Sequence, residues 1–363
     1  LPFPRRIIAT MKKILVLLIL WSLAAGCAGA PQARQPLVVY AAGSLIIPFD
    51  DLEKAFEARY PHIDVQSEYH GSIQVIRHAT ELHKPIDVVV TADHALIPML
   101  MYQTSDPDTG KPNADWYIRF ATNRMALAYS DRSRYANEIN DQNWTEIIRR
   151  PDVKVGISDP RFDAAGYRAF MTLQLAEHYL GQPELFEEMF ARAFTFPVGV
   201  STLGPYDIIR IPEILEIQPG ANIVMRGSSI QLVALLESGD LDYAFDYESV
   251  IRQHNFRMIE LPAELNLGEA EQADTYSKVA VLLDFQRFAS VKPEFQGEQI
   301  GYGITIPSGA PDPEAAQLFV AFVLGEEGRE IMAAEHHPQL DLPVADGYQR
   351  LPEALKPLCQ PAP

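Results

Sequence analysis

Leu37-Val38-Val39-Tyr40-Ala41-Ala42-Gly43-Ser44-Leu45-Ile46-Ile47-Pro48-Phe49 decides how this chain is read. Its first six residues form a continuous apolar run, the pattern of a strand covered on both faces. Gly43-Ser44 breaks the run. Phe49, Leu52, Phe56 and Tyr60 then recur at helical spacing, behind a proline that suits a first helical turn. The same unit repeats downstream. A strand over 62–68 precedes a helix over 73–82, and a strand over 87–92 precedes an apolar helix over 94–101. Such alternation predicts an α/β fold with a parallel, doubly wound sheet.

Residues 120–129 read as one long strand leaving this lobe. A second lobe follows, with helix 144–149, strand 153–158, helix 164–180, strand 222–225, helix 230–238 and strand 243–247. The chain is expected to return near 258–261, and strand 302–307 with helix 313–333 closes the first lobe. This gives lobe I over 37–122 and 258–345, lobe II over 123–257, and a tail over 346–363. One lobe inserted into another makes a hinge. Two facing sheets place a ligand cleft at the carboxyl ends of their strands.

The first 26 residues stand apart from the fold. Met11-Lys12-Lys13 opens a basic segment, Ile14 to Leu20 is apolar, and small residues lead to Cys27. This is the pattern of a secretory signal, with residues 1–10 upstream of the true start. Leu23-Ala24-Ala25-Gly26-Cys27 resembles a bacterial lipobox, so Cys27 is expected to carry a lipid anchor, with 27–36 as linker. Cys359 is then the one remaining cysteine, which excludes an internal disulfide and a thiolate metal site. The net charge of -18 disfavours nucleic acid and anionic lipid as partners. It sets a further condition: an anionic guest must be drawn in by local dipoles.

Four places supply such dipoles. In each, a strand ends, small residues turn the chain, and a helix begins: Gly43-Ser44, Gly71-Ser72, Asp163-Ala164-Ala165-Gly166 and Gly227-Ser228-Ser229. The first N–H groups of a helix lack intrahelical partners and carry partial positive charge. Small residues let an oxyanion approach them, and serine adds a rotatable donor. Two stations per lobe facing across a cleft would surround a tetrahedral dianion without any formal positive charge. Each station alone is equally the ordinary cap of a helix.

With these stations, Ala92-Asp93-His94-Ala95-Leu96-Ile97-Pro98, Asp115-Trp116-Tyr117, Arg150-Pro151-Asp152, Tyr167-Arg168, Leu241-Asp242-Tyr243 and Leu265-Asn266-Leu267-Gly268 complete a pattern. It resembles the archaeal-type tungstate/molybdate-binding proteins of ABC transporters, over about residues 37–342. The resemblance implies a type II periplasmic-binding-protein fold, no catalysis, no cofactor, a monomer, and delivery of the oxyanion to a membrane permease. It also implies ligand contacts from Gly43, Ser44, Ser72, Asp163, Ala164, Ala165 and Tyr247. One position departs from the family. Its second carboxylate, a glutamate, falls by spacing on Ser229, so Ser229 is expected as a donor. Ordinary tetrahedral binding and expansion of the metal centre through Asp163 both remain open.

Sulfate or phosphate as guest is an alternative; phosphate brings a proton, for which Asp163 is an acceptor. A surface phosphoesterase would need a metal cluster or an activated nucleophile, and the sequence shows neither pattern. The nine histidines lack metal-ligand spacing, so no cation site is expected.

Overall fold

The computed structural model describes residues 33–284 and 293–363. The signal segment and Cys27 lie outside these residues. In chain order the strands are β1 (Gln35–Ala42), β2 (Ile63–His70), β3 (Val88–Thr91), β4 (Tyr117–Thr122) and β5 (Met125–Tyr129). Then come β6 (Val155–Ser158), β7 (Gly199–Leu203), β8 (Tyr206–Pro212), β9 (Ile223–Arg226) and β10 (Tyr243–Tyr247). The series closes with β11 (Arg257–Glu260), β12 (Val279–Asp284), β13 (Glu294–Gln296), β14 (Gly301–Thr305), β15 (Gln339–Asp346) and β16 (Gln360–Pro361).

They build a two-lobed α/β fold. The first lobe holds the sheet β16-β15-β4-β14-β3-β1-β2, and the second holds β11-β5-β10-β6-β9. Strands β2, β1 and β3 run parallel, as do β10, β6 and β9. The strands that carry the chain between lobes run the other way: β14 is antiparallel to β3, and β5 to β10. Both sheets are therefore mixed rather than parallel throughout, because a strand arriving from the opposite lobe enters from the far end.

Three further features differ from the sequence reading. The run 120–129 is two strands in two sheets, parted at Asn123-Arg124. The Asn123 side-chain oxygen accepts from the Arg124 amide at 2.9 Å, replacing a ladder bond where the chain changes sheets. Residues 257–260 do not return to the first lobe. Met258 pairs with Ala128 at the edge of the second sheet, and the chain regains the first sheet only at Gly301. The residues after 346 are more than a tail: Leu351, Leu355 and Cys359 are buried, and β16 extends the first sheet beside β15.

A third sheet, β13-β12-β8-β7, was not expected. Its β8 and β12 run parallel in register from Asp207↔Val279 to Pro212↔Asp284. Their buried Ile209, Ile211, Val281 and Leu283 contribute to the main core beside the helix Ala164–Leu180. Phe295 stacks on Tyr167 with ring centroids 4.3 Å apart. That helix is buried along residues 164–176, which fixes its amino terminus between two sheets.

Candidate functional site

The four turns sit where the parallel strands end, and the structure brings them together in pairs. β2 leads into Gly71 and the helix Ser72–Thr80. Across the cleft, the Ile73 and Gln74 amides donate to the Phe162 carbonyl at 3.1 and 3.4 Å. β1 leads into Gly43, where an added Cβ would lie 3.4 Å from Ile230 Cγ2 and 3.6 Å from Ser228 Oγ. The first station thus faces the fourth and the second faces the third, with the lobes closed on one another.

Gly71 is required for that closure. A Cβ there would come within 2.3 Å of the Phe162 carbonyl oxygen and 3.1 Å of Asp163 Cα, both backbone atoms. Gly71→Ala is therefore expected to hold the lobes apart and weaken anion binding roughly ten- to hundredfold. Gly199→Ala, where nothing lies within 4 Å of the added methyl, serves as the control. Titration calorimetry with small-angle scattering checks this. Equal affinities for the two variants would contradict the closed geometry.

Three hydroxyls share a design. Ser72 is fully buried, and its Oγ accepts from the Ala92 amide at 2.9 Å. Tyr247 accepts from Arg168 Nη1 at 2.7 Å. Tyr302 accepts from Asn123 Nδ2 at 3.0 Å and hydrogen-bonds Ser44 Oγ at 2.9 Å, with either hydroxyl able to donate. On Ser72 and Tyr247 a protein donor occupies a lone pair and leaves the hydroxyl proton for a guest, and the Ser44–Tyr302 pair has one proton to spare. The Ala164 amide has no partner among the described residues. These groups are linked: Tyr302 and Tyr247 have ring centroids 6.3 Å apart, and Arg168 also donates to the Ala92 carbonyl at 2.6 Å.

The other expected ligands have different tasks. Asp163 caps the helix Ala164–Leu180: one carboxylate oxygen accepts from the Ala165 amide at 3.2 Å. The other accepts from the Ser229 amide at 2.8 Å, joining the third station to the fourth. The Ala165 amide is thus engaged by Asp163 and not left for a guest. Expected as a donor toward the guest, Ser229 likewise has its amide already engaged by Asp163, and its side chain tempers the rise of Asp246. Burial pushes Asp163 up to about 6, against the pull of the Ser229 and Ala165 amides and of Arg168. Burial pushes Asp246 up to about 7, and Asp163 adds to it.

Arg168 corrects the expectation of a site without formal positive charge. It is 3% exposed, holds Tyr247, and lies 3.4 Å from Asp93, which also accepts from the Tyr167 hydroxyl. Its charge lies behind the Tyr247 hydroxyl and is balanced by Asp93. A lone arginine among the apolar positions of 164–176 is the signal that marks it. Asn123, Tyr302 and Asp246 carried no comparable signal.

Asp93, His94 and Glu298 also converge, with one ligand-type atom from each inside a 4.8 Å group. Sequence spacing missed this trio, since Glu298 comes from the second crossing. Asp93 already accepts from Tyr167 and the Ala95 amide, and Arg119 and Arg168 both act on His94 and Glu298. Two nearby guanidinium groups oppose a cation there. Burial pushes His94 down to about 4, so it stays neutral at pH 7.

With this geometry in hand, the comparisons are direct. The family described as bacterial extracellular solute-binding protein matches residues 37–336. The molybdate/tungstate-binding protein WtpA of Pyrococcus abyssi is 37% identical over 356 residues, 95% of this chain and 96% of that one. Its namesake in Thermococcus kodakarensis is 36% identical over 358 residues, 94% of each chain. Among solved structures, the periplasmic molybdate-binding protein of Azotobacter vinelandii aligns with a TM-score of 0.54 at 15% identity, covering 83% of this chain and 98% of that one. The sulfate-binding protein SubI of Mycobacterium tuberculosis H37Rv gives 0.54 at 13%, covering 85% and 88%. At such identities the two structures speak for the fold alone.

Proposed function

This chain belongs to the bacterial extracellular solute-binding proteins, and on that premise we propose that it captures tungstate or molybdate for an ABC importer by closure of its lobes. The observation that carries the reading is the set of pinned hydroxyls. Ser72 and the Ser44–Tyr302 pair in the first lobe and Tyr247 in the second each keep one hydroxyl proton for a guest, beside the Ala164 amide. A tetrahedral dianion that accepts everywhere and donates nowhere fits such a wall. The names of relatives at 36 and 37% identity agree with it.

Closure follows from the distribution of donors. Only the closed form presents groups from both lobes, so the guest binds it preferentially and shifts the population toward it. Hydrogen bonds to a charged guest contribute about 1.5–3 kcal/mol each. Four of them, strengthened by the helix termini behind, supply much of the roughly 12 kcal/mol that nanomolar binding requires. The closed protein would then dock on its permease and perform no chemistry. Ser229 and Asp163 already hold partners, which favours four-coordinate binding with the oxyanion intact. An anchor at Cys27 would keep the monomer beside the membrane.

Titration calorimetry with tungstate, molybdate, sulfate and phosphate tests this. The first two are expected to bind at least a hundredfold more tightly than the others. A preference for phosphate would overturn the assignment and give the buried acids the role of acceptors for its proton.

A further inference from the structure

One side chain at the crossing between the lobes stands behind the Ser44–Tyr302 pair. Asn123 is 1% exposed and follows β4, where the chain leaves the first sheet for β5. The Arg124 amide donates to its Oδ1 at 2.9 Å, and the Ser249 amide does so at 3.4 Å. A backbone amide can only donate, so the oxygen and nitrogen of this carboxamide cannot exchange places. Its Nδ2 then donates to two hydroxyls, to Ser249 Oγ at 2.8 Å and to Tyr302 at 3.0 Å. On the Ser249 side the order continues away from the cleft. His337 Nδ1 lies 3.1 Å from the Glu335 carbonyl and carries the proton, which leaves Nε2 to accept from Ser249 at 3.3 Å.

On the Tyr302 side the order runs toward the cleft. Tyr302 is fully buried, whereas Ser44, just past the end of β1, keeps 4% exposure. With Asn123 donating to Tyr302, the phenol proton has a single acceptor among the described residues, Ser44. A buried hydroxyl proton without an acceptor is costly, so donation from Tyr302 to Ser44 satisfies more groups than the reverse. Ser44 then has its own proton to give. A guest that accepts everywhere, such as molybdate or tungstate, meets a donor there. Monohydrogen phosphate meets the same donor and finds no acceptor in this chain of groups for its own proton.

We propose that Asn123 is a positioning residue that sets guest specificity: a fixed donor at the hinge, it orders Tyr302 and Ser44 so that Ser44 offers the guest a proton, which selects fully deprotonated oxyanions over protonated ones. The inference rests on the reading of this cleft as an anion site and names how the site chooses among anions. Asn123→Asp keeps the shape and accepts where the amide donated. Tyr302 must then give its proton to the new carboxylate, Ser44 gives its own to Tyr302, and the guest meets a lone pair at Ser44. Molybdate loses a donor, and monohydrogen phosphate gains an acceptor. Tyr302→Phe cuts the chain. Ser44 no longer serves the phenol, and its hydroxyl turns to the guest whatever stands behind it.

The test is titration calorimetry at about pH 8 with molybdate and with inorganic phosphate, on the full chain and its variants Asn123→Asp, Asn123→Ala, Tyr302→Phe and Asn123→Asp with Tyr302→Phe. Asn123→Asp is expected to weaken molybdate about ten- to hundredfold and to lower the ratio of molybdate to phosphate affinity by at least as much. The double variant should bind molybdate within about threefold of Tyr302→Phe alone, a rescue that neither a loosened hinge nor repulsion by the new charge would give. Asn123→Ala brings no charge and should lower the ratio by about three- to tenfold, which decides the matter should the aspartate variant fail to fold. A ratio that neither Asn123 variant moves, or a loss that Tyr302→Phe does not relieve, overturns the proposal and leaves the anion reading intact. No binding of tungstate or molybdate by the wild type sinks the anion reading, and this proposal with it.

Discussion

Replacing Ser44 and Ser72 together by alanine is expected to weaken tungstate and molybdate binding by roughly two to four orders of magnitude, the effect of losing two hydrogen bonds to a charged guest. Neither side chain holds the core together. Their hydroxyls sit at the ends of β1 and β2, each held by one hydrogen bond: Ser44 with the Tyr302 hydroxyl, and Ser72 accepting from the Ala92 amide. Removing Ser72 leaves that buried amide without its acceptor, a cost of about 1–3 kcal/mol. The double variant should melt somewhat lower than wild type and still fold cooperatively.

Calorimetry and thermal melting together check the expectation. The single variants need not add up to the double, because both serines act on one guest. If the double variant keeps affinity within threefold of wild type while remaining folded, the anion does not sit between β1, β2 and the second lobe. The placement of the site would then be wrong, whatever the guest.

The stations were legible because each breaks a strong pattern. Gly43-Ser44 interrupts a run that is otherwise apolar from Leu37 to Phe49, and Gly71-Ser72 stands between a strand and a helix. Local sequence is enough to find such breaks. The reading of 120–129 as one strand passed over the polar Asn123-Arg124, where the structure divides it into two. Leu351, Leu355 and Cys359, read as part of a tail, are buried beyond the expected end of the fold.

What stayed hidden depends on long-range contact. β8 alternates with period two, but its partner β12 lies some seventy residues on, so no local pattern announces the third sheet. The role of Ser229 is hidden for the same reason. Its amide reaches an acid 66 positions earlier, and nothing near Gly227-Ser228-Ser229 distinguishes an amide free for a guest from one held by a distant carboxylate. Spacing can say which residue stands where a family keeps a ligand. It cannot say that its amide is already taken.

Arg168 is the residue whose loss should reach furthest. It rises from the second-lobe helix and donates to the Ala92 carbonyl at 2.6 Å and to Tyr247 at 2.7 Å, with Asp93 3.4 Å away. Two of these three partners belong to the first lobe, so the guanidinium latches the closed form as well as orienting a guest-facing hydroxyl. Arg168→Met keeps the volume and removes every donor. It leaves Asp93 buried without its cation, a loss of roughly 3–5 kcal/mol for a broken buried pair. The latch exists only when the lobes meet, so most of that loss is expected to appear as affinity, about a hundredfold to a thousandfold, with a smaller drop in melting temperature. Arg168→Lys should rescue little, since one ammonium cannot span a carbonyl, a phenol and a carboxylate as the planar fork does. Arg168→Met combined with Asp93→Asn should recover part of the affinity, because the stranded charge goes with it. Should Arg168→Met bind and melt like wild type, the lobes are held closed by the helix termini alone, and the guanidinium takes no part in capture.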